Sequence, residues 1–382
     1  MLRRIIVFAL GLAVAGQGPV PVRAGVLNPD ISIIGQPFTR WTDDAGDPAA
    51  RRATLDVGET EILFDAALNP YARGTFTIAL AEEGAEIEEG FFLVSRGLPG
   101  GLALKGGRYR TGFGRLNIVH PHAYPFAERF GVLADYLPGE EAFIETGAQL
   151  SALVPLGGAA LTVSADWLQG DAFRIERESS GDPGDPLEAD PESGDRAEEP
   201  RPAVLGRAAA FFPLADGRSG VEVGLSAAAG TNNVAAAART TLIGVDARAR
   251  LWRGAQSGLA VQGEWLRLDR EEAMWDPGAS AYATSSVTPQ GGYVFADYGF
   301  DRRYSAGASF ERWQQPTEDR AWNHAFGVFA GIALLEETTT FRIGWQRLQP
   351  GRPDGASEDP NAVQTVTVRV VYSMGPHKAH TF

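Results

Sequence analysis

A cluster of basic residues interleaved with aromatics stands at Lys105, Arg108, Tyr109 and Arg110, and Arg115 follows closely. Upstream, Glu61 and Asp65 share a parity, so one face of an extended segment carries both carboxylates. Opposed rows of fixed charge create a transverse field that orders water and sorts polar solutes. Two closely spaced histidine pairs offer different chemistry, His120 with His122 and His377 with His380. Each pair can give two nitrogen ligands to zinc, which takes three or four ligands in all. Glu128 is near enough in the chain to complete the first pair. No Gly-x-Ser-x-Gly, His-Glu-x-x-His or phosphate-loop motif occurs, and enzymatic activity is not expected.

These residues need strands to position them. From Val366 to Met374 one face carries Val366, Val368, Val370, Tyr372 and Met374. The other carries Thr367, Arg369, Val371 and Ser373. An arginine in mid-strand behind a wholly apolar face suits a strand between lipid and a wet lumen. Sixteen segments read this way: 31–39, 54–68, 72–82, 86–97, 102–114, 143–155, 158–171, 203–214, 220–231, 239–252, 257–270, 287–300, 303–315, 321–334, 338–349 and 362–374. In the tenth, Val245, Ala247, Ala249 and Leu251 face outward, with Asp246, Arg248 and Arg250 inward. In the fifteenth, Phe341, Ile343 and Trp345 face outward and Arg342 inward. The eleventh breaks the pattern near Leu266 to Asp269. Aromatics such as Tyr298, Phe300 and Tyr304 gather at strand ends, as in an interfacial girdle, and His324 reads as another interfacial residue. The expected fold is therefore all-β: a single 16-stranded antiparallel transmembrane barrel over residues 25–374, with short periplasmic turns and long extracellular loops.

Strand five needs an adjustment. Strict alternation puts Arg108 and Arg110 on the face of Leu102 and Leu104. An extra residue at Gly106-Gly107 would flip the alternation, since glycine tolerates a bulge. Lys105, Arg108 and Arg110 then line the lumen opposite Glu61, Asp65 and one of Glu88 or Glu89, while Tyr109 and Phe113 face lipid. The pore-lining set becomes Lys105, Arg108, Arg110, Arg115, Arg248, Arg250, Arg342 and Arg369, with Glu61 and Asp65 opposing. The connection 114–142 is long and aromatic, and is expected to fold inward and narrow the pore. Residues 172–202 read as an acidic extracellular loop; ten carboxylates and five prolines fall between 176 and 202, a solvated composition.

The N-terminus reads as a cleavable signal peptide, residues 1–24, with a cationic start, an apolar run from Ile5 to Ala15 and a Val22-Arg23-Ala24 end. That run is shorter than the roughly 20 apolar residues a spanning helix takes. The absence of cysteine excludes disulfides, Cys-based zinc sites and a lipid-anchoring Cys. The net charge of −14 argues against nucleic-acid partners. Residues 375–382 form a periplasmic tail holding His377, His380 and the terminal Phe382; Pro376 cannot donate to a ladder. Export to a Gram-negative-type outer membrane follows, with lipid and small polar or ionic solutes as partners and a homotrimer as an expected assembly. No cofactor is expected beyond zinc at the His pairs. The runner-up to a passive channel is a metal-binding surface receptor using those pairs.

The order from Glu59-Thr60-Glu61 through Asn69-Pro70-Tyr71 and Ile87-Glu88-Glu89-Gly90-Phe91 to Gly107-Arg108-Tyr109-Arg110-Thr111-Gly112-Phe113-Gly114 resembles the amino-terminal part of phosphate-selective porins of the O and P type. The resemblance implies a porin barrel and raises the expectation of anionic solutes. Asn28-Pro29-Asp30-Ile31-Ser32, Leu116-Asn117 with His120 and His122, and Gly375-Pro376-His377-Lys378-Ala379-His380 are similar to a group labelled zinc-regulated TonB-dependent outer membrane receptors. The label implies a plug domain and a 22-stranded barrel; sixteen strands with their loops use the whole chain after residue 24 and leave no length for a plug.

Overall fold

In the computed structural model the described residues are 29–376, apart from 83, 140, 176–198, 277, 318–319, 335–337 and 354. The signal segment, most of the acidic loop, and His377 and His380 therefore lie outside the described residues.

Sixteen antiparallel strands close into a barrel, as the alternation predicts. They are β1 (Asp30–Gly35 and Phe38–Thr42), β2 (Ala53–Asp56 and Thr60–Ala67), β3 (Ala72–Ala81), β4 (Gly84–Val94), β5 (Leu102–Arg110), β6 (Ile144–Leu156), β7 (Ala159–Leu168) and β8 (Ala203–Pro213). The second half comprises β9 (Gly220–Asn233), β10 (Ala238–Trp252), β11 (Gly258–Asp276), β12 (Ala281–Val287 and Gln290–Gly299), β13 (Tyr304–Gln314), β14 (Trp322–Ala333), β15 (Thr339–Gln349) and β16 (Val363–Met374). Each strand pairs with its sequence neighbours, and β1 closes the ring on β16 through Ile33–Met374 and Val368–Thr39. Closure leaves no unpaired edge, which a lipid-embedded sheet requires.

Two strands break for local reasons. Pro37 has no N–H for the ladder, so β1 bends there, while its carbonyl still accepts from Val370 N at 2.9 Å. In β2 the chain turns at Gly58, whose φ is +60°. A Cβ there would lie 2.3 Å from the Gln36 carbonyl oxygen, so only glycine fits beside the β1 bend.

The short connections cluster at one end of the barrel, the turn end, and side-chain caps define several of them. Asn69 Oδ1 accepts from Tyr71 N and Ala72 N at 2.9 and 3.0 Å. Asp216 accepts from Arg218 N and Ser219 N, and Asp301 from Arg303 N and Tyr304 N. Asn and Asp favour turns by bonding their own backbone in this way. The opposite, loop end is less uniform than expected. The β3–β4 and β9–β10 connections there are tight, and 271–286 is mostly a hairpin that prolongs β11 to Asp276 and begins β12 at Ala281.

The outer surface is apolar. Val245, Phe310, Phe341, Ile343 and Val368 are exposed on it, with Trp167, Phe300 and Tyr304 near strand ends. Among the described residues no helix is long and apolar enough to cross a membrane. The apolar core lies inside the barrel, built by residues of 109–143 against the inner wall.

Candidate functional site

Residues 111–143, between β5 and β6, run within the barrel. Their neck is tied at Asn117. Its Nδ2 donates to the carbonyls of Thr111 and Phe143 at 2.9 and 3.0 Å, and its Oδ1 accepts from Phe143 N at 2.9 Å. Past the neck the segment meets the wall on several sides. Glu264 Oε1 on β11 accepts from Arg115 N and Leu116 N at 2.8 and 2.7 Å, and from the Tyr293 hydroxyl at 2.7 Å. Phe126 and Phe130 then pack on Tyr293, Phe295 and Phe329 of β12 and β14. The short helix α1 (Gly131–Tyr136) docks on β13, where Trp313 Nε1 donates to Asp135 at 2.6 Å and Tyr136 donates to the Gln314 carbonyl at 2.8 Å. Thr367 of β16 donates to Glu128, and Arg342 of β15 donates to the His122 carbonyl at 2.6 Å. Leu266 and Leu268, where the strand pattern breaks, are buried inward in the same apolar core.

The β5 arrangement differs from the expected basic ladder. Gly106 and Gly107 stay in register with both neighbouring strands, so no bulge forms there. Gly107 serves a close approach instead: its φ is +130°, and a Cβ would sit 2.2 Å from the Gly90 carbonyl oxygen. Tyr109 and Phe113 accordingly face inward, 0% and 1% exposed, with the Tyr109 hydroxyl 2.9 Å from Asp166. Lys105 lies over the rings of Phe91 and Tyr109. Arg108 donates to the Ile87 carbonyl and reaches the loop end of the lumen. Arg110 is buried against Glu88. The bulge is on β4, between the pairs Glu89–Thr77 and Ile87–Ile78. It leaves Glu88 as the extra residue, so both Glu88 and Glu89 are buried, where one was expected inside.

Glu61 and Asp65 separate. Asp65 pairs with Arg73 and accepts from Thr75, near the turn end. Glu61 is buried in a cluster with the inward loop. His120 Nδ1 lies 3.1 Å from Glu61 Oε2 and 3.4 Å from Glu88 Oε2, and its Nε2 lies 3.1 Å from Glu89 Oε2. His122 Nδ1 is 2.8 Å from Glu61 Oε1. Pro121 opens a tight 3₁₀ turn that sets the two imidazoles 5.5 Å apart on one side of the loop. Glu128, the expected third member of this pair, instead lies on Thr367 across the lumen. His324 is exposed on the outer face of β14. Burial alone would lower the His120 pKa, but the facing carboxylates of Glu61, Glu88 and Glu89 outweigh it and hold the imidazole well above its ordinary value.

Charged side chains line the lumen on both sides of the loop. Toward the loop end, a chamber of about 790 Å³ is lined by Glu86, Arg108, Glu141, Asp171, Arg174 and Arg270 among others. Toward the turn end stand Arg115, Arg248, Arg250, Arg342 and Arg369, against Glu222, Asp297 and Glu128. Arg115 pairs with Glu222 at 3.4 Å, whereas Arg207 is held by Asp246 at 2.6 Å. Glu264, Glu311 and Arg207 escaped the sequence reading. Their parity marks an inward face, and the loop's course makes Glu264 and Glu311 anchors, accepting from Arg115 N, Leu116 N and Val132 N.

No family model matches the chain. An uncharacterized protein of Aquifex aeolicus (strain VF5) is 31% identical over 269 residues, covering 67% of this chain and 54% of that protein. The chain thus spans about half the length of this curated relative. Among solved structures, the anion-selective porin from Comamonas acidovorans has a TM-score of 0.59 at 10% identity, covering 91% of this chain and 99% of that one. The outer membrane channel DcaP of Acinetobacter baumannii has a TM-score of 0.56 at 8% identity, covering 91% and 97%. The trimer form of OmpT from Vibrio cholerae has a TM-score of 0.53 at 12% identity, covering 91% and 100%. At these identities the likeness is one of fold: the chain folds as a porin-like barrel.

Proposed function

We propose that this protein is an outer-membrane channel for passive diffusion of small polar or charged solutes, with a preference for anions. One observation carries the reading: inside a closed barrel, arginines outnumber carboxylates along the wall from β10 to β16 toward the turn end. Fixed positive charge in a narrow, low-dielectric passage raises the local anion concentration. Solutes pass beside the inward loop, over Arg248, Arg250 and Arg369, while Arg342 is held on the His122 carbonyl. Lys105 and Arg110 are engaged beneath the loop and play a structural part, and Asp65 stands outside the narrow zone. The solved porins of the same fold support the reading, one of them described as anion-selective. The resemblance to phosphate-selective porins makes inorganic phosphate the first solute to try. The chain acts without catalysis, in the outer membrane of a Gram-negative-type cell, and assembles as a homotrimer, as a trimer form of one neighbour suggests.

The test is conductance of the purified, refolded protein in a planar bilayer under a KCl gradient. Discrete steps with an anion-directed reversal potential are expected. A folded, heat-modifiable barrel without conductance would overturn the channel reading, and a cation-directed potential would overturn the assignment of selectivity.

A further inference from the structure

The Glu61 cluster has a composition that the channel does not explain. Four carboxylates meet there, Glu59, Glu61, Glu88 and Glu89, and Arg110 on Glu88 is the guanidinium in ion-pair contact with them among the described residues. Glu61 and Glu88 are each 2% exposed, His122 5% and His120 8%. Three buried carboxylates, Glu61, Glu88 and Glu89, thus face Arg110 and the two imidazoles, with Glu59 half-buried beside them. Buried carboxylates at this density are costly unless cations share the site. Two carboxylate oxygens of the group, Glu59 Oε1 and Glu88 Oε2, are buried, the latter 3.4 Å from His120 Nδ1.

The geometry suits a metal ion. One ligand atom from each of Glu61, His120 and His122 lies within 4.8 Å of the other two, and Glu59, Glu61 and Glu88 form a second such set sharing Glu61. Zinc binds imidazole nitrogen and carboxylate oxygen at about 2.0–2.2 Å, so an ion between these groups needs only a small inward shift of side chains. Two imidazoles and a carboxylate favour a borderline transition ion over calcium or magnesium, which take oxygen sets. Glu89, on His120 Nε2, stands where a carboxylate orients a ligating histidine and raises its basicity.

We propose that Glu61, His120 and His122 form a binding site for one divalent transition-metal ion of the zinc type, which fastens the inward loop to β2. The site is independent of whether the barrel conducts, since the ligands are rooted in the wall and the loop.

The experiment is equilibrium dialysis of the refolded full-length chain against zinc after removal of metal by EDTA, with cobalt(II) absorption as a second readout. The expected result is one equivalent per chain, a tetrahedral-type cobalt spectrum, and no displacement by excess calcium or magnesium. Glu61→Gln and His122→Gln, each shown folded by heat-modifiability, should weaken binding at least about 10–100-fold. The double variant His377→Ala/His380→Ala should keep the equivalent, which separates this site from the tail. Unchanged affinity in a folded Glu61→Gln or His122→Gln overturns the site, as does loss of binding with the tail variant alone. Displacement by calcium overturns the class of ion. If Glu61→Gln does not fold, His122→Gln decides.

Discussion

Phe130 of the inward loop stacks on Tyr293 of β12 with ring centroids 4.0 Å apart and planes 15° from parallel. Both rings are almost fully buried, and the Tyr293 hydroxyl passes on to Glu264, which holds the backbone of Arg115 and Leu116. One apolar stack and one carboxylate thus fix the loop's course across the lumen.

Phe130→Ala removes this stack and leaves a cavity, at a cost of about 3–5 kcal/mol for a buried Phe. The cost falls on loop docking, because strand pairing is untouched. Larger conductance steps and faster proteolysis within 114–142 are expected. Unchanged conductance and protection would show that the loop is held elsewhere.

Glu264→Ala leaves two buried N–H groups without their acceptor, at about 1–3 kcal/mol each. Glu264→Gln keeps an acceptor oxygen and should be milder. The order Ala worse than Gln, read from thermal unfolding in detergent, checks the assignment.

Arg248→Gln with Arg250→Gln should move the reversal potential toward cations, since both side chains face the lumen near the turn end of β10. Arg108→Gln, at the loop end and on the Ile87 carbonyl, should move it little. Equal shifts in the two variants would remove the case for a turn-end selectivity zone.

Gly107→Ala places a methyl 2.2 Å from the Gly90 carbonyl at a φ of +130°. The β4–β5 pairing must then separate, and the cluster carried by the β4 bulge loses its register with Arg110. The folded, heat-modifiable fraction after refolding should fall sharply. Normal yield would mean that the two strands can part at no cost.

Asp301 caps a turn at the turn end, and the N–H groups of Arg303 and Tyr304 hold its carboxyl below the usual range. A depressed folded pKa contributes stability above the unfolded value of about 3.9 and loses it as pH falls through the folded pKa. Asp301→Asn keeps an acceptor without the titration. Its unfolding midpoint should drop less than that of the unmodified chain between neutral pH and pH about 3; equal drops would show that the cap carries no linkage.

Barrel, strand number and facing were legible in the sequence because a lipid-facing strand writes its two environments at every second residue. Val245, Asp246, Val368 and Arg369 stand on the faces that alternation assigns them. The caps at Asn69, Asp216 and Asp301 form their turns by local hydrogen bonding alone, between the segments that alternation delimits. The β5 bulge was misread because glycine signals both a bulge and a close approach; only the partner strand decides, and here the bulge falls on β4. That choice turns Glu88 inward beside Glu89. The course of residues 111–143 was likewise beyond the sequence, since it depends on Glu264, Tyr293 and Trp313, more than a hundred residues away. His120 and His122 were visible as a pair, but Glu61 became their partner only when the barrel closed around the loop. Alternation is a local consequence of the pleat, whereas the cluster is made by contacts between segments that share no spacing.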